Sequence, residues 1–291
     1  MPRLSFLPTI FRELLAGEPR PREPEPDLVM EDDEQVASYA LAGRVDGVMS
    51  ASYLFHTAAI SEAIAGSAEV VDLACGPATQ LAQVAQLNPG IRFHGIDLSA
   101  TMLESAKAHV DTLGLTNVRF SQGDIANLDF IADHSAGALI STMALHHLPT
   151  VQHLDACFAE IARVVEPEGA VYLADFGRLR SLRSVLFFAY MNAKEQPHLF
   201  SLDYERSLRA AFTLNDFQKA ARERLPSHVR VYSTFLVPML ATMRTPARSI
   251  DARLAAKLRS MRKALPRRYR ADLDDMRLFF RLNGLASDPF R

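Results

Sequence analysis

Short apolar runs alternate with helical stretches through the middle of this chain. Runs rich in β-branched and other apolar residues predict five strands, at residues 69–73, 91–96, 117–120, 136–141 and 170–175. Helical periodicity between the strands predicts helices at residues 79–88, 99–113 and 151–165. Alternation of strands with helices is typical of βαβ units, so this region is predicted to form a parallel sheet.

The ends of these helices carry local signals. Ser99 is placed to cap the start of the second helix, and Gly114 is placed to end it. Residues 166–169, EPEG, predict a turn that ends the third helix.

The pattern changes after the fifth strand. Residues 178–226 are predicted to be helical, and residues 229–245 are predicted to form two strands around Pro238. Such a closing pair is antiparallel in many doubly wound sheets. The tail from residue 246 is again helical, with one apolar face formed by Ile250, Leu254, Leu258, Met261 and Leu265.

The N-terminal region reads as two helical segments joined by a linker. A short helix is predicted over residues 5–16, and helical patterning resumes from residue 35 to residue 65. Residues 18–34 combine proline with acidic residues, which favours an extended, solvated linker.

Composition places the chain among ordinary globular proteins. Hydrophobic residues make up 48% and charged residues 23% of the 291 residues, and the formal net charge is −2. This charge provides no general attraction to nucleic acid or anionic membranes, so no nucleic-acid partner is expected and any such binding must be local. The two cysteines fit a reducing compartment, and the N-terminus lacks a convincing signal peptide, so a cytoplasmic location is predicted. The apolar run at 182–191 is too short to span a membrane.

The charges are distributed unevenly along the chain. The first half of the tail is strongly basic, whereas residues 18–34 are acidic. Three interpretations are open: a solvated helix face, docking of the acidic linker on the basic helix within the domain or across a dimer interface, or binding of nucleic acid or anionic lipid.

A small-residue turn follows the first strand. The strand ends near Asp72, and the turn from Ala74 to Ala78 leads directly into a helix, as in a nucleotide-binding crossover. Small side chains allow the backbone to approach a ligand closely. Asp97, at the end of the second strand, is placed to accept hydrogen bonds from both hydroxyls of a ribose.

In this region the chain resembles the class I S-adenosylmethionine-dependent methyltransferases. The resemblance covers residues 65–180 and rests on five segments in order: DLACGPA at 72–78, GIDLSATML at 95–103, QGDIANLDF at 122–130, LISTMALHHLP at 139–149 and LDACFAEIARVVEPEGAVYLADFG at 154–177. It implies an α/β, Rossmann-like, doubly wound sheet of seven strands in the order 3-2-1-4-5-7-6, with the last strand antiparallel. We expect three parts: residues 1–65 in a helical cap, a core at 66–245 with an insertion at 178–226, and a helical extension at 246–291.

The same resemblance implies how the cofactor S-adenosylmethionine is held. Gly76 and its neighbours would lie under the methionyl part, Asp97 would hold the ribose, and Met102 would pack on the adenine. Asp124 and Ile125 would lie at the edge of the adenine, and Ser141 and Thr142 at the methionine end. The remaining implied contacts come from Asp72, Ala74, Leu98, Tyr39 and Arg44. The last two would close over the methionine end, and no metal site is expected.

Two of the three glycines of the family pattern are alanine here, Ala74 and Ala78. Alanine is unstrained at negative φ, so we expect cofactor binding to survive with a slightly altered turn. The G-x-G-x-x-G turn of dinucleotide oxidoreductases is absent, which disfavours that class.

Candidate catalytic groups follow the fourth and fifth strands. His146 or His147 is a candidate general base, with capping or packing as the alternative role, and Asp175 is a candidate to face the acceptor. Large apolar residues in the insertion and both termini favour a small, fairly apolar acceptor. Peptide, protein or RNA methylation and a non-catalytic binding subunit are the alternatives, and a homodimer is left open.

Overall fold

The computed structural model describes residues 6–26 and 47–291. Seven strands form one sheet in the order β3-β2-β1-β4-β5-β7-β6. They are β1 (Glu69–Leu73), β2 (Arg92–Asp97), β3 (Val118–Gln122), β4 (Ala136–Thr142), β5 (Val165–Phe176), β6 (Arg230–Ser233) and β7 (Leu240–Arg244). The strands β1 to β5 pair in parallel, whereas β7 is antiparallel to both β5 and β6. The predicted fold class and strand order are therefore confirmed.

The helices also follow the predicted segments closely. They are α1 (Leu7–Leu15), α2 (Ser50–Ala63), α3 (Thr79–Leu87), α4 (Ala100–Thr112), α5 (Val151–Val164), α6 (Leu182–Tyr190), α7 (His198–Ala210), α8 (Leu214–Arg224), α9 (Ala252–Ala264) and α10 (Arg267–Leu282). The predicted ends of α4 are confirmed: the Met102 amide donates to Ser99 Oγ at 3.1 Å, and Gly114 has a φ of +65°. None of the helices in these two ranges is long and apolar enough to cross a membrane.

The core lies on both faces of the sheet. Alternate residues of β1 separate the two sides: Val70 packs with α2, α3 and α4, and Val71 packs with α5 and α8. Helices α9 and α10 add to the first side. There the rings of Phe55 in α2 and Phe280 in α10 stack at 5.2 Å.

The turn predicted at residues 166–169 is wrong. Helix α5 ends at Val164 and β5 begins at Val165, so these residues lie within the strand. Ala136 pairs with Val165 and Ala138 pairs with Ala170, which makes the segment a bulge. A Cβ on Gly169 would lie 2.9 Å from the Glu166 carbonyl oxygen, so glycine permits this tight backbone.

The linker is extended, as predicted, in the part that the structure describes, but it is not solvated throughout, because Glu25 is only 10% exposed. Residues 20–26, here called the N-terminal strap, run against α7, where Glu23 pairs with Arg209 at 2.9 Å. The basic partner of this acidic residue therefore lies in α7 rather than in the basic tail. Tail arginines instead pair locally, as Arg262 does with Asp274 at 2.8 Å. Residues 27–34 lie outside the described part of the chain.

Candidate functional site

A cavity of about 240 Å³ opens at the carboxyl ends of β1, β2 and β4. Strand order reverses between β1 and β4, and doubly wound sheets bind ligands at such a point. Eleven of the residues singled out in the sequence line this cavity: Asp72, Ala74, Gly76, Asp97, Leu98, Met102, Asp124, Ile125, Thr142, His146 and His147.

The turn after β1 keeps a left-handed backbone despite its alanines. Ala74, Gly76 and Ala78 have φ values of +55°, +52° and +58°. The two alanines thus adopt the backbone conformation that glycine favours, at positions where the family pattern has glycine. A Cβ built on Gly76 would meet no atom within 4 Å, so open space lies directly beside the backbone here.

Ala74 should store strain that glycine would remove. A left-handed backbone costs an L-residue about 1–2 kcal/mol, and glycine would remove that cost. The greater entropy of glycine in the unfolded chain would offset part of this gain. We expect Ala74→Gly to raise the free energy of unfolding by about 0.5–1 kcal/mol, measured by urea denaturation.

The matched control is Ala108→Gly, at an exposed position inside α4. In a right-handed helix the same change should lower stability by about 1 kcal/mol. Equal losses at the two positions would contradict the strained turn.

Asp97 ties the β1 turn to the end of β2. Its Oδ2 accepts from the Gly76 amide at 2.8 Å and its Oδ1 from the Ser99 amide at 2.9 Å. Burial raises the pKa of Asp97 above its ordinary value, although these amides oppose the rise. Each carboxylate oxygen keeps a further lone pair for a ligand hydroxyl.

Asp72 lies deeper in the same end of the cavity. Its side chain is buried, and burial together with the charge of Asp97 raises its pKa well above the ordinary value. A cationic ligand in the cavity would offset the repulsion between the two carboxylates.

The predicted adenine contacts line the cavity. Met102 and Ile125 are each 7% exposed, whereas Leu98, another implied cofactor contact, is 40% exposed. Asp124 Oδ1 accepts from the Ala126 amide at 2.8 Å, so this side chain also shapes its own turn.

Two predicted contacts need separate treatment. Ser141 does not line the cavity: its hydroxyl is fully buried and donates to the Leu73 carbonyl oxygen at 2.8 Å. The neighbouring Thr142 lines it instead. Tyr39 and Arg44 lie outside the described residues.

Asp175 points away from the cavity and holds His146. Its Oδ1 lies 2.7 Å from His146 Nδ1, and its Oδ2 accepts from the His146 amide at 2.7 Å. Burial lowers the pKa of His146, but the charge and hydrogen bond of Asp175 outweigh burial and raise it. Asp175 therefore does not line the cavity, in contrast to the prediction that it faces the acceptor.

Glu25 lies beside His146 and His147, and the sequence pattern did not indicate it. It reaches from the N-terminal strap to His147, with Oε2 3.4 Å from Nδ1, and its Oε1 accepts from Ser207 at 2.9 Å. Burial raises its pKa, but the close contact with His147, the charge of His146 and the hydrogen bond from Ser207 lower it to about 2. Because Glu25 is far from the histidines in the chain, no local pattern predicts the contact.

Apolar side chains form the opposite wall of the cavity. Met49, Phe176, Phe200 and Tyr204 line it and also line a second cavity of about 170 Å³. Among the large apolar residues of the insertion and both termini, Tyr53 lines the first cavity, and Phe6, Phe188, Met191 and Phe279 line the second. Phe55 and Phe280 belong to the core instead.

Comparison with known proteins identifies the central segment. Residues 70–169 match a family model described as a methyltransferase domain. Over 82 residues the chain is 45% identical to a trans-aconitate 2-methyltransferase of Deinococcus radiodurans, covering 28% of this chain and 29% of that protein. Over 104 residues it is 31% identical to a demethylmenaquinone methyltransferase of Bacillus cytotoxicus, covering 35% and 42%. The chain thus spans less than half the length of these curated relatives.

Solved structures extend the likeness in fold. The plantazolicin methyltransferase BamL, in complex with a desmethyl analogue and SAH, aligns with a TM-score of 0.56 at 15% identity, covering 82% of this chain and 87% of that chain. An O-methyltransferase family protein from Burkholderia thailandensis gives 0.56 at 17%, covering 85% and 68%. Residues 70–169 of this chain therefore match a methyltransferase domain, and its seven-stranded sheet has the fold of these solved methyltransferases.

Proposed function

We propose that this protein is an enzyme that transfers a methyl group from S-adenosylmethionine to a small, fairly apolar acceptor by in-line displacement. The observation that carries the proposal is the single cavity in which Asp97 and the β1 turn face one end and apolar side chains face the other. When bound, S-adenosylmethionine supplies the methyl group on an already activated sulfonium.

The cofactor end of the cavity fits such a ligand. The free lone pairs of Asp97 suit two ribose hydroxyls, the open space beside Gly76 admits a methionyl group, and Met102 and Ile125 provide apolar contact for a base. Asp72 and Asp97 also favour a positively charged ligand. We propose that Ala74, Leu98, Asp124 and Thr142, which line the same cavity, also contact the cofactor.

The acceptor end supports the rest of the proposal. Met49, Phe176 and Phe200 exclude water, and holding two reactants in near-attack geometry contributes roughly 7–11 kcal/mol. We propose that His146 and His147 act on the acceptor side and that Asp175 positions His146. The division into a cap, a core and an extension stays a proposal as well.

The names of the two matched relatives give different substrates, trans-aconitate for one and demethylmenaquinone for the other. The apolar wall favours the second kind of chemistry. Macromolecular acceptors have less support, because Arg262 and Arg277 of the basic tail are already paired with Asp274 and Asp288.

The test combines binding and transfer. Calorimetry of the full chain should detect SAH, and methyl transfer should be assayed against pairs of acceptors that differ only in an apolar extension. Transfer to the extended member of each pair is expected. A folded protein that binds neither SAH nor S-adenosylmethionine would contradict enzyme activity, and preference for peptides or RNA would contradict the acceptor class.

The residues that line both cavities give a sharper prediction. Met49 is one of them, and the larger side chain of Met49→Trp should fill space that an extended acceptor would occupy. We expect KM to rise about tenfold or more for extended acceptors, since each lost methylene contact in an apolar pocket costs about 1–3 kcal/mol. The affinity for SAH should stay unchanged. Leu113→Trp, at an exposed position on the end of α4, is the control, and an equal rise there would count against contact between Met49 and the acceptor.

A further inference from the structure

Glu25, His146 and His147 form a compact cluster of metal-ligating side chains. One ligand atom from each lies within 4.8 Å of the other two. Glu25 comes from the N-terminal strap, and the histidines come from the 3₁₀ turn Leu145–His147 that follows β4. We propose that this cluster binds one divalent transition-metal ion of the Zn²⁺ type at the acceptor end of the cavity.

The spacing of the ligand atoms suits a shared ion better than direct hydrogen bonds. His146 Nε2 is 3.8 Å from Glu25 Oε1, and His147 Nδ1 is 3.4 Å from Glu25 Oε2. Hydrogen bonds between such groups are normally about 2.7–3.2 Å long. Two ligands on a tetrahedral ion, each bound at about 2.0–2.2 Å, lie roughly 3.3–3.6 Å apart.

A buried nitrogen without a partner is the second observation. His147 Nδ1 is buried and has no hydrogen-bond partner in the part of the chain that the structure describes. Leaving such a group unsatisfied costs about 1–3 kcal/mol, and a coordinated ion would remove that cost.

Neighbouring groups already orient the ligands. Asp175 Oδ1 holds His146 at Nδ1, which leaves Nε2 directed at Glu25. The Ser207 hydroxyl donates to Glu25 Oε1 at 2.9 Å. Metal-binding histidines usually have their other nitrogen held by a carboxylate in this way. The arrangement is therefore that of a prepared coordination site.

The charge around the cluster also suits a dication. Glu25, Asp175 and Asp203 place three carboxylates around the two histidines, and Arg22 directs its guanidinium at backbone carbonyls. Two imidazoles and a carboxylate leave at least one position free, as catalytic zinc sites do. Because both histidines line the cavity, that position opens toward the acceptor.

Binding of the ion does not depend on methyl transfer. Only the statement that the free position faces the acceptor rests on the proposed function. Wherever His146 Nε2 carries a proton, binding releases that proton to solvent.

The experiment uses the full chain without an affinity tag, treated with a chelator and then dialysed. Calorimetric titration with Zn²⁺ should give one site, and Co²⁺ should give visible absorption of the intensity typical of four-coordinate sites. Glu25→Gln and His147→Gln should each weaken Zn²⁺ binding about 100-fold or more. Residues that only hydrogen-bond to a metal ligand contribute about 10–100-fold to affinity, and these two residues would bind the ion itself.

Glu23→Gln is the matched control. It removes an acid from the same strap that faces Arg209 rather than the histidines, and it should leave Zn²⁺ affinity unchanged. SAH affinity and the unfolding midpoint are measured for every variant, which separates loss of the metal site from misfolding or from failure of cofactor binding. Absence of a stoichiometric Zn²⁺ site, or equal affinity in wild type, Glu25→Gln and His147→Gln, would overturn the proposal.

Discussion

Replacing Asp97 with alanine is expected to weaken binding of S-adenosylmethionine and SAH by about 100-fold or more. A hydrogen bond to a charged group contributes about 1.5–3 kcal/mol, and Asp97 is placed to accept two from a ribose. The substitution also removes the acceptor that fixes the Gly76 amide at 2.8 Å, so the β1 turn loses its link to β2. Calorimetry with SAH measures the change directly.

Two further variants test whether the loss of affinity is specific to the Asp97 carboxylate. Asp97→Asn keeps the shape but loses the charge and one acceptor, so an intermediate affinity is expected. Asp129→Ala removes an exposed acid outside the cavity and should leave SAH affinity unchanged. Wild-type affinity in Asp97→Ala, with a normal unfolding midpoint, would mean that the ribose is held elsewhere.

Replacing Arg22 with alanine is expected to cost about 3–5 kcal/mol of unfolding free energy. The guanidinium donates to the carbonyl oxygens of His146 at 2.8 Å, Leu148 at 2.5 Å and Ala210 at 2.6 Å, and also to that of Pro149. It lies 4.0 Å from the centre of the Phe212 ring. Alanine would leave several partly buried carbonyls unpaired. Each unpaired carbonyl costs about 1–3 kcal/mol, and a hydrogen bond from water would reduce that cost.

The charge of Arg22 persists at neutral pH. Burial, followed by repulsion from Arg178, lowers its pKa to about 10, which is still well above 7. A guanidinium offers five donors in a fixed plane, so Arg22→Lys should recover only part of the loss.

Urea denaturation provides the measurement for Arg22→Ala. Arg20→Ala is the control on the same strap, because Arg20 is more exposed and makes an ion pair with Glu23 at 3.3 Å. Such a surface pair contributes about 0–1 kcal/mol. Equal effects at the two arginines would show that the strap does not anchor the 146–149 segment.

The sheet was predictable because its signals are local. The β-branched run at β1, the Ser99 cap and the Gly114 stop act within a few residues, and resemblance to a family supplied the order of the strands. Asp72, Gly76 and Asp97 could be placed for the same reason, since the ends of parallel strands meet at one edge.

Other features depend on contacts between distant residues or on burial. Adjacent strand residues face opposite sides, so only one of Ser141 and Thr142 can line the cavity, and the Leu73 carbonyl decides which. Glu25 reaches the histidines only once the strap is folded against α7. The left-handed alanines are a third case, because propensity alone assigns alanine to negative φ.

Helix α2 connects the cavity to the C-terminal helices. Tyr53 lines the cavity, Gln80 donates to Thr57 Oγ1 at 2.5 Å on the same helix, and Phe55 stacks on Phe280 of α10. Swapping α10 between relatives without α2 would mismatch that ring pair and displace Tyr53. Recombination and grafting experiments that alter acceptor choice are therefore expected to succeed only when the two helices are inherited together.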